Sequence, residues 1–195
     1  MISSTWLWGM NFKSILLICL AAGTLICHPV ESKTLERADA ALQRLFPRSK
    51  VERKSAILSK EDQARIAEQL DTSFKQALVT YFRVTTRDKE VVYAYLDAHR
   101  VRTLPETLMI SVDAKGVIHS VDVLVFREPE EYIPKRAWYE QLNGKTHSSD
   151  LRLNREIHGV SGATMTARAT VNASRKVLNI HRVLMERDEF AKNKK

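Results

Sequence analysis

The chain has 195 residues, with 31 Lys and Arg against 23 Asp and Glu and a formal net charge of +8. Its two cysteines, Cys19 and Cys27, both lie in an apolar stretch near the N-terminus. The rest of the chain therefore has no disulfide, no cysteine-ligated metal and no Cys-x-x-Cys-His haem site, and any redox chemistry must come from another cofactor.

Lys13 precedes Ser14 to Cys27, a 14-residue run that is almost wholly apolar and is followed by Pro29. That fits the hydrophobic region of a secretory signal and falls short of the roughly 20 apolar residues of a bilayer-spanning helix. Val30 and Ser32 are small enough for a cleavage site, so residues 1–32 are expected to be a signal peptide cleaved near Ser32, with an uncleaved anchor as the alternative. Export argues against nucleic acid as the partner of so basic a chain. Anionic lipid head groups or an acidic protein remain, so association with a membrane surface is expected. The charges are scattered, and most read as a solvated face. About 163 residues follow Ser32, enough for one domain, placed at 33–188, with a charged disordered tail at 189–195.

Leu35, Ala38, Leu42, Leu45 and Phe46 recur at helical spacing, closed by Pro47. A second helix is predicted to start at Ser59, with Asp62 completing a capping box and Ala64, Ile66, Ala67 and Leu70 as its apolar face. Ala77 to Thr86 and Val91 to Leu96 read as strands. Leu108 to Val112 and Val117 to Phe126 flank Asp113-Ala114-Lys115-Gly116, a hairpin signature, and in the second arm Val117, His119, Val121, Val123 and Val125 alternate with Ile118, Ser120, Asp122 and Leu124, one face mostly apolar and the other mixed. Arg127 to Pro134 is an acidic loop, and Lys135 to Leu142 a short helix carrying Trp138 and ended by Asn143-Gly144. Lys145 to Gly159 is loop-like. From Thr164 to about Glu186 the pattern is helical, with Val171, Val177, Leu178, Ile180 and Leu184 on one side. The expected fold class is α+β: a mainly antiparallel sheet with N-terminal helices and a long C-terminal helix after the Ser-Gly-Ala-Thr loop.

His158-Gly159-Val160-Ser161-Gly162-Ala163-Thr164-Met165-Thr166 sits where that loop enters the long helix. Free amides and the positive end of the helix dipole favour phosphate there. Gly159 and Gly162 let an anion approach the backbone, and Ser161, Thr164 and Thr166 offer hydroxyls. On residue chemistry alone, a plain helix cap stands beside a phosphate site, and no one hydroxyl is singled out. Nor does it separate an electron carrier from a non-redox module that holds a phosphate-bearing ligand, or from a basic surface-interaction protein.

Ser161 to Thr166, read as SGATMT, resembles the attachment motif of the FMN-binding domain family, which includes the C subunit of the sodium-pumping NADH:quinone oxidoreductase and the G subunit of the Rnf complex. Glu128-Pro129, Tyr132, Trp138 and Gln141 to Lys145 resemble the stretch before the motif in small exported members. The resemblance implies FMN as cofactor, joined by a phosphoester to Thr164, with Ser161, Gly162, Ala163 and Thr166 around it and Trp138 or Tyr132 as stacking candidates. It also implies a separate FAD:protein FMN transferase, membrane or periplasmic electron-transfer partners, and a place on the extracytoplasmic face of the cytoplasmic membrane. The role implied is an electron-transfer flavoprotein rather than a stand-alone catalyst. Where the family commonly has an acid three positions before the serine, this chain has His158. Arg152 and Arg155 are candidate phosphate partners, and His119 and His158 candidate hydrogen-bond donors to a flavin. Neither histidine has ligand spacing for a metal.

Overall fold

The computed structural model describes residues 30–192, so the expected signal segment up to residue 29 and the last three residues lie outside the described residues. The described chain runs α1 (Val30–Leu45), β1 (Lys50–Ile57), α2 (Lys60–Leu70), β2 (Leu78–Thr85), β3 (Val91–Arg100), β4 (Pro105–Asp113), β5 (Ile118–Phe126), α3 (Arg136–Tyr139), α4 (Thr164–Glu186) and α5 (Glu189–Lys192). Single 3₁₀ turns cover Glu130–Tyr132 and Glu140–Leu142. The five strands form one antiparallel sheet in chain order, β1 to β5. The α+β expectation holds.

Side-chain alternation gives the sheet two buried faces. Tyr81, Tyr93, Tyr95, Leu108, Ile110 and Val112 belong to a core shared with Val171, Val177, Leu178, Ile180 and Leu184 of α4 and Ile66 of α2. Their neighbours Phe82, Val84, Val92, Ala94 and Met109 pack instead with Ala38, Leu42 and Phe46 of the first helical segment. The strands at the centre are thus apolar on both sides, which fixes their register, since a one-residue slip would exchange the two cores. Among the described residues no helix is long and apolar enough to cross a membrane.

Four expectations need correction. Lys50–Ile57 is a strand that the sequence pattern hides: its charged side chains suit an edge, where Glu52 pairs with Lys50 and Arg83. Ala64 is exposed on α2, while Asp62 and Gln63 are buried beside Ile66, because the capping box and an Asp62–Arg187 ion pair at 2.7 Å turn the helix start inward. The second hairpin arm does not alternate strictly. Val112 pairs with Ile118 but Ser111 with Ser120, so His119 is an extra residue in a bulge, and a second irregularity separates Thr107 from Leu108. The first bulge brings Ile118 and Val121, three apart, to the same core. Finally, Glu189–Lys192 is a helical turn rather than the start of a disordered tail, with the Phe190 ring stacked on Tyr93 at 4.0 Å.

Candidate functional site

The loop that precedes α4 is held from three directions. Trp138 is buried, and its Nε1 donates to the His158 carbonyl at 2.7 Å, while the His158 amide donates to Gln141 Oε1 at 2.8 Å. The tryptophan and glutamine of α3 and its 3₁₀ extension therefore clamp the chain three residues before Ser161. The His158 side chain is left exposed. Gly159 sits close to Asn154, and a Cβ there would come to 2.9 Å of Asn154 Oδ1, so a larger residue would have to displace the Asn154 side chain. From the second side, Thr166 is buried and its Oγ1 donates to the Tyr132 carbonyl at 2.6 Å.

The third hold comes from the β3–β4 turn. Glu128 Oε1 accepts from the amides of Leu104 at 2.8 Å, Thr103 at 2.7 Å and Arg102 at 3.2 Å, bonds that hold its carboxyl below the usual range. The Arg102 guanidinium lies over the Tyr132 ring, 5.0 Å from its centroid. Glu128, Tyr132 and Trp138, quoted separately in the sequence, thus form one scaffold around the helix start.

At that start the backbone is left open. The N-cap residue is Ala163, with φ −120° and ψ 26°, and no side chain caps the helix. The plain cap reading of the motif therefore does not describe this end. The first backbone bond is from the Ala167 amide to the Ala163 carbonyl at 2.9 Å, so the amides of Thr164, Met165 and Thr166 have no acceptor within the helix. Gly162 has φ +84°, a conformation favouring glycine, and it is exposed along with Ser161. Ala163 is buried at 4 % exposure and seats the turn against the domain. Thr164 is exposed, and its Oγ1 donates to the Val160 carbonyl at 3.2 Å, which orients the hydroxyl with its lone pairs outward.

The three hydroxyls therefore differ. Thr166 is buried and occupied, Ser161 lies on the exposed turn, and Thr164 is exposed at the first helical position. Trp138 and Tyr132 shape the loop through a ring nitrogen and a carbonyl. Arg152 and Arg155 are both exposed and both pair with Asp150 at 3.4 Å. His119 lies elsewhere, 5.5 Å from the Phe46 ring, in a groove beside the β4–β5 turn whose lining includes no residue of the SGAT loop.

One cluster escaped the sequence reading. His99 donates through Nδ1 to Asp97 and through Nε2 to Glu106, both at 2.9 Å, and Lys176 of α4 pairs with the other Asp97 oxygen. Burial works against its charge, but the two carboxylates prevail and raise the His99 pKa to about 9. The signal was there in principle. Asp97 and His99 are two apart on one strand face, and Glu106 is the cross-strand partner of His99. Finding it required the β3–β4 register.

These elements form a meander closed by a helix whose open start follows a glycine-containing SGAT turn. Residues 104–179 match the model of the FMN-binding domain, spanning β4 to the third quarter of α4, and this segment is an FMN-binding domain with FMN as its cofactor. No curated protein matches the chain.

Proposed function

We propose that this protein is an exported electron carrier that holds FMN through a phosphoester on Thr164. The observation that carries the reading is the state of Thr164: an exposed hydroxyl at the first position of a helix with no side-chain cap, inside an FMN-binding domain. A phosphodiester formed there brings negative charge to a helix start, an interaction worth about 0.3–1 kcal/mol even when exposed. Three amides without helical acceptors face the same region.

In the attachment step the Thr164 hydroxyl gives up its proton and its oxygen attacks the FMN-side phosphorus of FAD. The bond between that phosphorus and the bridging oxygen breaks, and AMP leaves. The reaction belongs to a separate FAD:protein FMN transferase, whose magnesium offsets phosphate charge. His158 replaces an acid in the family pattern, yet only its backbone serves the loop here, so the change leaves the clamp by Trp138 and Gln141 intact. When bound, FMN supplies one- or two-electron transfer, and the protein sets its orientation and access. The apolar, signal-like N-terminal run supports a working position on the extracytoplasmic side of the membrane, relaying electrons between membrane and periplasmic proteins.

Co-expression with such a transferase in an exporting host tests the reading. The expected result is an intact mass raised by one esterified FMN and a band that fluoresces on a denaturing gel, both lost in Thr164→Ala. An unmodified mass in the wild type rejects the covalent bond, and retention of the adduct in Thr164→Ala rejects the acceptor.

A further inference from the structure

A recess of about 450 Å³ runs along α4 from its first turn. The helix contributes Met165, Arg168, Ala169, Asn172, Ala173 and Lys176, which are spaced i, i+3, i+4, i+7, i+8 and i+11 and so form one face. Arg168 is four residues beyond Thr164, one turn along the same side, so a group anchored on Thr164 meets the mouth of this recess first. Small side chains at 169 and 173 leave room for a flat body, and the half-exposed Met165 supplies a soft apolar rim.

The charge in the recess is unbalanced. Asp97 and Glu106 are matched by His99 and Lys176. Arg100, Arg168 and Arg175 also line it or its wall, and none of the three makes an ion pair with a carboxylate among the described residues. Arg100 donates to the Thr103 carbonyl and Arg175 to the Gln69 carbonyl. Arg100 and Arg168 are exposed and Arg175 is half-buried, so three guanidinium charges border an open recess without a carboxylate partner. Tyr132 and Trp138 are not among its lining residues.

We propose that this recess seats the isoalloxazine ring, with Arg168 as the positioning residue and with the surplus guanidinium charge favouring the ring when it is electron-rich. The inference rests on FMN being held at Thr164. It goes further by naming the residues that set ring access and potential, which charge near the ring controls.

The experiment uses Ala169→Trp, which fills the recess, and Arg168→Glu, an exposed reversal of charge, each checked for native secondary structure by circular dichroism. In protein loaded with FMN by the transferase, Ala169→Trp is expected to raise iodide quenching of the flavin, and Arg168→Glu to lower its reduction midpoint. Riboflavin, which lacks the phosphate and cannot be esterified, probes the recess alone, and Ala169→Trp should weaken its binding at least tenfold. If loaded variants carry the covalent mass yet show wild-type quenching and midpoint, the seat is wrong while Thr164 stands. If the wild type cannot be loaded, the Thr164 reading fails and the titration decides the seat: riboflavin binding that is absent, or unchanged by Ala169→Trp, overturns it.

Discussion

Two helices of this domain begin in opposite ways. At α2, Ser59 accepts from the Asp62 amide at 3.1 Å and Asp62 accepts from the Ser59 amide at 2.8 Å, so the end is closed by its own side chains. At α4, an alanine stands at the N-cap and nothing closes the end. The stabilisation given up is about 1 kcal/mol, and what is left in exchange is an unblocked set of amides beside the exposed Thr164 hydroxyl. A helix that needs only to fold is sealed. The open start of α4 is held instead from behind, by Trp138, Tyr132 and Gln141.

The support behind the open end is where the largest loss is expected. Trp138→Ala removes a buried ring and leaves the His158 carbonyl without its donor, at a cost of about 3–5 kcal/mol in chemical denaturation. Trp138→Phe should recover most of the packing but not the donor, separating clamp from core. If both variants unfold like the wild type, the loop is not held as described.

The far half of α4 sharpens the contrast, because it is sealed against water. His181 is fully buried with its Nδ1 hydrogen-bonded to Tyr95 Oη at 2.9 Å, and burial lowers its pKa to about 4. An unfolded histidine near 6.5 binds its proton first, so native stability should decline as pH falls from about 6.5 to about 4 and then level off with respect to this group. Acid titration of His181→Gln, which keeps a hydrogen-bonding side chain beside Tyr95 but does not titrate, should show a shallower decline over that window. Equal slopes would remove His181 from the account.

The smallest effects exchange the two helix starts. Ser59→Ala should cost about 1 kcal/mol and leave flavin loading unchanged. Ala163→Asp should place a negative charge at the helix start and slow loading, while the buried position of residue 163 offsets what a cap would give in stability. Loading at the wild-type rate in Ala163→Asp would mean that the open end is incidental.

Much of this was legible before the fold. The capping box at Ser59, the span of α4 and the Gly116 turn follow from local chemistry that acts within a few residues, and each lies where expected. The SGAT turn was visible as a loop entering a helix, but its open N-cap was not, because a serine, an alanine and a threonine in sequence do not say which will take the cap position. Edge strand β1 was invisible since Lys50, Glu52, Arg53 and Lys54 mask any alternation that pairing with β2 imposes. The bulge at His119 depends on a neighbour strand, as does the His99 cluster, so neither follows from spacing along one segment.

That charged edge has a social consequence. A sheet's first strand is where a second molecule would add its own, and β1 offers Val51 and Ile57 to such a visitor. Lys50, Arg53 and Lys54 surround them, and an identical strand laid antiparallel would bring its own cations against these. The strand that escaped detection because of its charge is, for the same reason, one on which copies of the protein are discouraged from stacking.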